Sequence, residues 1–137
     1  MKLGNINFIG ASSVNNGVTA HIANKEHIHP GNTITIAYNG SVGEAFYQSE
    51  EYWASDDVNV LYPKFKMTPQ IALFFLPILK QLGKQYAFEN KWKLEDMKKE
   101  TIPLPCLSDL PNWQYMNNYI CNLLFRQKMN YKSICQL

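Results

Sequence analysis

Residues 33–38 read Thr-Ile-Thr-Ile-Ala-Tyr, a strict alternation that admits a β-strand and no helix. Side chains along a strand point to opposite faces in turn. Ile34, Ile36 and Tyr38 therefore share one face, and Thr33, Thr35 and Ala37 share the other. Asn39-Gly40 follows at once, the strongest short hairpin signal, because both residues tolerate positive φ at little cost. A return strand is expected over residues 41–47. The rest of the first sixty residues agrees with a β-rich half. Residues 5–12 are an apolar-rich run, and Asn15-Asn16-Gly17 between Val14 and Val18 favours a tight reversal. Residues 58–62 form another strand, stopped by Pro63, which has no N–H for the ladder.

The second half changes period. Thr68-Pro69 supplies a helix N-cap and first-turn proline. Ile71, Leu73, Phe74, Phe75, Ile78, Leu79 and Leu82 then make a broad apolar face. Pro77 is expected to kink this helix and Gly83 to end it. Residues 84–99 are polar and lysine-rich, with Phe88 and Trp92, and predict a loop plus a short helix near 94–99. Residues 101–105 read as extended, because Pro103 and Pro105 bias the residues before them toward β. A last helix is expected from Pro111 or Asn112, with Trp113, Met116, Ile120, Leu123 and Leu124 along one stripe.

At 137 residues, 46% hydrophobic and 18% charged, the chain suits one globular domain. No apolar run reaches the length of a membrane span, and the N-terminus MKLGNINFIG has no signal-peptide core, so a cytoplasmic location and no membrane contact are expected. Cys106, Cys121 and Cys135 are odd in number and form no CxxC pair, which argues against a disulfide framework and a zinc site. His27 and His29 share a strand face, but with His21 they lack the cysteine or carboxylate partners of a metal set. Asp56 and Asp57 are adjacent and would point apart on a strand. Gly40-Ser41-Val42-Gly43 precedes no helix that could bind phosphate. No catalytic constellation, metal or cofactor is expected, and a small independent enzyme is disfavoured.

The net charge of +2 conceals an asymmetry. Residues 1–63 carry two lysines against six acids; residues 64–137 carry eleven basic residues against five acids. Lys80, Lys84, Lys91, Lys93, Lys98 and Lys99 fall within twenty residues, so a surface for a polyanion is expected there. Arg126 is the only arginine, so any base reading must rely on lysines, amides and hydroxyls. The candidate DNA contacts are Asn15, Asn16, Thr19, Asn39, Ser41, Tyr47 and Gln48 near the turns, with Lys84, Lys91, Lys93, Lys98 and Lys99 on the backbone.

A series of segments, in order, resembles a known family. It comprises Asn15-Asn16-Gly17-Val18, Gly31 to Ile36, Asn39-Gly40-Ser41-Val42-Gly43, Ala45-Phe46-Tyr47-Gln48 and Asp57 to Pro63. Lys91-Trp92, Met97-Lys98-Lys99, Ile102-Pro103-Leu104-Pro105 and Pro111 to Met116 continue it. Together they resemble the target recognition domain of type I restriction–modification specificity subunits, over residues 4–120. The resemblance implies an α+β fold: a curved, mainly antiparallel sheet, a packed kinked helix and a C-terminal helix that begins a spacer. It implies a recognition domain over residues 1–110, lacking its usual N-terminal lead-in, and a spacer helix and tail over 111–137. It implies non-catalytic, sequence-specific binding of double-stranded DNA. It also implies partnership with a methyltransferase subunit that uses S-adenosylmethionine and with a restriction and translocase subunit. Trp113, Met116, Ile120, Leu123 and Leu124 would form the partner-helix interface. Pairing with a second copy as a half-subunit is a further expectation. The alternative is a truncated fragment acting only as a protein-interaction module through its C-terminal helix, without DNA binding.

Overall fold

The computed structural model describes residues 1–89 and 91–135, so the last two residues of the expected tail lie outside the described residues. The first sixty residues give six strands. β1 (Leu3–Ile9) pairs antiparallel with β2 (Val18–Ile22), and a 3-10 turn at Asn15–Gly17 reverses the chain between them. β3 (Thr33–Ala37) lies between β4 (Ala45–Gln48) and a later strand, β6 (Val58–Leu61), antiparallel to both. β5 (Tyr52–Ala54) returns to the first sheet and runs parallel to β1. The sheet therefore takes the form of two three-stranded units, β2-β1-β5 and β4-β3-β6. The α+β class holds, with antiparallel pairing everywhere except β1–β5.

The alternating strand is more deeply placed than alternation alone requires. All five residues of β3 are buried. Ile34 and Ile36 face the helices, in a core with Met67, Ile71, Phe75 and Leu79. The opposite face meets the first sheet: Thr33 Oγ1 and the buried Tyr52 hydroxyl are 2.8 Å apart. Thr35 Oγ1 donates to Phe46 O at 3.3 Å and accepts from Gln48 Nε2 at 3.2 Å. Threonine suits a middle layer because its hydroxyl finds a partner while its methyl packs; an unpartnered hydroxyl there would cost on the order of 1–3 kcal/mol.

α1 (Pro69–Ala87) starts as expected, with Thr68 Oγ1 accepting from Ile71 N at 3.2 Å. It does not end at Gly83. The helix continues through Pro77 and past Gly83 to Ala87. Gly83 serves a close approach instead: a Cβ there would lie 2.5 Å from Gly43 Cα, so helix and loop cross backbone to backbone. The Asn39-Gly40 turn also differs from expectation. β4 begins only at Ala45, so residues 38–44 form a seven-residue loop, with positive φ at Gly40 and Gly43.

α2 (Leu94–Met97) is the short helix expected there. A small hairpin, β7 (Cys106–Leu107) and β8 (Leu110–Pro111), replaces featureless extended chain; Ser108 and Asp109 supply its positive φ values. α3 (Trp113–Cys135) packs against α1, its first turn capped by Asn112 Oδ1 accepting from Tyr115 N at 3.0 Å. Thr68 Oγ1 donates to Asn117 Oδ1 at 3.0 Å and ties the start of α1 to α3. Trp113 stacks on Phe65 with ring centres 4.4 Å apart. Among the described residues no helix is long and apolar enough to cross a membrane.

Candidate nucleic-acid interface

Two loops and one strand-like segment meet at one edge of the sheets. The first loop, residues 10–17, carries Asn15, Asn16 and Gly17 at φ of 53°, 53° and 79°, left-handed values that Asn and Gly accept most readily. The second is the 38–44 loop. Gly40 lies against the first loop: a Cβ there would be 3.2 Å from Ala11 Cβ. The third piece arrives from beyond α1. Asn39 and Lys91 form an isolated antiparallel bridge, and Trp92 N donates to Tyr38 O at 2.8 Å. Residues separated by fifty positions in sequence are thereby held side by side.

The amides expected to meet DNA prove to be fasteners first. Asn16 Nδ2 donates to Tyr47 O at 3.0 Å and to Gln48 Oε1 at 3.3 Å, while Gln48 Nε2 donates back to Asn16 O at 3.0 Å. This reciprocal pair joins the first sheet's turn to β4. Gln48 is 3% exposed and its amide is engaged internally, so it is corrected from a DNA contact to a support of the turn. Asn15 Nδ2 donates to Val18 O at 3.0 Å, and Thr19 Oγ1 donates to Phe8 O at 3.3 Å; both residues stay exposed. Tyr47 donates its hydroxyl to Asn32 Oδ1 at 2.9 Å, and burial pushes its pKa up. Ser41 is half-buried, and its carbonyl accepts from Glu44 N at 3.1 Å within the loop.

The lysines divide. Lys91, Lys93, Lys98 and Lys99 are exposed, with Lys93 just before α2 and Lys98 and Lys99 just after it. At 1.5 Å per residue, the backbones of Lys93 and Lys98 are about 8 Å apart. Lys84 is exposed on the last turn of α1 and donates to Gln81 Oε1 at 3.2 Å. Lys80 is 3.2 Å from Glu44 and sits over the Phe46 ring at 4.8 Å, so much of its charge is balanced locally. The segment is also more acidic than a lysine count suggests: residues 84–100 hold five lysines against Glu89, Glu95, Asp96 and Glu100. Glu100 accepts from the Tyr86 hydroxyl, which raises the Tyr86 pKa to about 12.

The stripe on the last helix is corrected in part. Met116 and Ile120 are buried against this chain's own core, so these two are not available to a partner helix, while Trp113 is half-buried and stacks on Phe65. Leu123 and Leu124 are exposed, as is Phe125. His27 and His29 are aromatic packing groups. His29 stacks on Tyr52 at 5.4 Å, and His27 meets Trp53 edge-on at 5.2 Å. Two residues escaped sequence reasoning: Asp57, whose Oδ1 accepts from Asn39 Nδ2 at 2.8 Å, and Asn32, whose Nδ2 donates to Met67 O at 3.1 Å. Asn32 carried a local signal, since Gly31-Asn32 marks a turn. Asp57 carried none, because its partner is eighteen residues away.

This arrangement of two small sheets, stapled turn loops and a helix packed on one side has counterparts among solved structures. The fold is similar to the S subunit of the type I restriction-modification system from M. genitalium, at a TM-score of 0.62 and 22% identity over 97% of this chain and 35% of that one. It is likewise similar to a chain solved for the complex assembly and conformational transition of the type I R-M system, at a TM-score of 0.64 and 16% identity, covering 92% of this chain and 32% of that one. The chain belongs to the family of type I restriction modification DNA specificity domains, which matches residues 2–130. It is also 36% identical over 128 residues to the specificity subunit S.BcgI of a type II restriction enzyme from Heyndrickxia coagulans, covering 90% of this chain and 37% of that protein. It spans about a third of the length of each of these relatives.

Proposed function

We propose that this chain recognises a sequence in double-stranded DNA and directs the methyltransferase and restriction subunits of a type I-like restriction–modification system to it. It performs no catalysis of its own and acts in the cytoplasm. Residues 1–110 form the recognition domain, and residues 111–137 begin a spacer helix. The observation that carries this reading is the convergence of three elements: the 10–17 loop, the 38–44 loop and the Lys91 segment, joined by the Asn39–Lys91 bridge. Exposed amide oxygens and lysines are thereby presented together on a rigid support. Lysines that neutralise phosphates position the domain, and the loop groups read base edges. Leu123 and Leu124, on the exposed outer half of α3, would meet the methyltransferase subunit or a second copy of this chain.

The test is binding of the full chain to duplex DNA across a salt series. Affinity is expected to fall linearly on a log–log plot. Lys91→Ala is expected to weaken binding to all sequences alike, with a shallower salt slope by about 1. A folded chain that binds no duplex at about 50 mM salt, far below the range where such contacts are screened, would refute the proposal.

A further inference from the structure

Asn39 stands near the start of the 38–44 loop, exposed and bridged to Lys91. Its side chain is not free to choose an orientation. Asp57, beside the start of β6, accepts from Asn39 Nδ2 at 2.8 Å, and Asp57 O accepts from Tyr38 N at 3.0 Å. A carboxylate only accepts, so the amide must turn its N–H toward Asp57 and its carbonyl away. Asn39 Oδ1 and Asp57 Oδ2 have no hydrogen-bond partner among the described residues. An unrestrained asparagine reads adenine with donor and acceptor together. Here one N–H of Nδ2 is engaged by Asp57, which leaves Oδ1 and the second N–H, an acceptor and a donor held in a fixed orientation.

We propose that Asp57 is a specificity-determining positioning residue. By holding the Asn39 amide, it presents Oδ1 and the free N–H together, the pair that meets adenine N6 and N7 at the major-groove edge. Guanine presents two acceptors at that edge, O6 and N7, and would leave Asn39 Oδ1 without a donor. The Asp57 carboxylate would repel a phosphate, so the pair suits a base edge, while the adjacent Lys91 suits the backbone. Asn15 and Asn16 repeat the arrangement, each donating Nδ2 inward to a backbone carbonyl. The inference rests on the DNA-recognition reading above.

The test is selection of bound duplexes from a randomised library by the full wild-type chain, Asp57→Asn and Asn39→Ala, each first shown to be folded by circular dichroism. The wild type is expected to select a motif with an A·T pair at the position that the variants alter. Asp57→Asn frees the Asn39 amide to turn, and is expected to reduce that one preference about tenfold while leaving the other positions unchanged. Asn39→Ala is expected to lose the same preference, and decides the matter should Asp57→Asn fail to fold. A wild-type motif that persists at every position in the variants, or a G·C pair at the affected position, overturns the inference and leaves DNA recognition standing. A folded wild type that selects no motif overturns both.

Discussion

Gly83 shows how a single position can oppose a general preference. In an exposed helix, replacing glycine by alanine gains about 1 kcal/mol. At Gly83 the added carbon would meet Gly43 Cα at 2.5 Å, and a backbone cannot swing aside as a side chain can. Gly83→Ala is therefore expected to destabilise the chain, by about 1–3 kcal/mol as overpacking does; denaturant unfolding reads the sign directly. His29 makes a different case. Burial, and then the neighbouring His27, hold its imidazole below the ordinary 6.5, and its Nδ1 lies 2.5 Å from the Tyr62 hydroxyl. The unfolded chain thus takes up the proton first as pH falls. The stability that neutral His29 contributes is complete above about pH 6.5 and is lost as pH drops below it. His29→Gln is expected to flatten this fall below about pH 6.5 in thermal melts; an equal fall in both proteins would contradict it.

Elements differ in how openly the sequence declares them. β3 was legible from its period, α1 from Thr68-Pro69 and its apolar face, and α3 from the stripe beginning at Trp113. β5, of three residues, and the β7–β8 hairpin, of two residues a strand, are too short to hold a period. The C-cap reading of Gly83 failed because the reason for that glycine lies forty residues earlier, at Gly43. The candidate site was legible as a set of turns and lysines. Which amides act as fasteners was not, because Asn16 meets Gln48 across thirty-two residues and Asn39 meets Asp57 across eighteen. α3 is divided along its length, and the division is testable. Met116→Ala is expected to cost about 2–5 kcal/mol, as for other buried large-to-small changes. Leu124→Ala, on the exposed side, is expected to stay within about 0.5 kcal/mol. Similar costs for the two would refute the division.

For the whole molecule, charge decides less than its asymmetry suggests. Five lysines and four acids share residues 84–100, and Lys80 is balanced by Glu44. With a slope of about −0.9 for each phosphate neutralised, four exposed lysines around α2 give at most a slope of about −4 in the salt series. A steeper slope would place further cations of the chain, such as Lys84, on the DNA. On the proposed reading, affinity of that modest size would leave discrimination to the loop residues and to the two sheets that hold them. The first two turns of α3 have a practical corollary for anyone grafting one recognition unit onto another scaffold. Since Met116 and Ile120 complete the inner packing, a seam cut at residue 112 would leave the donated module with an open flank. The transplant must carry its helix along to at least residue 120.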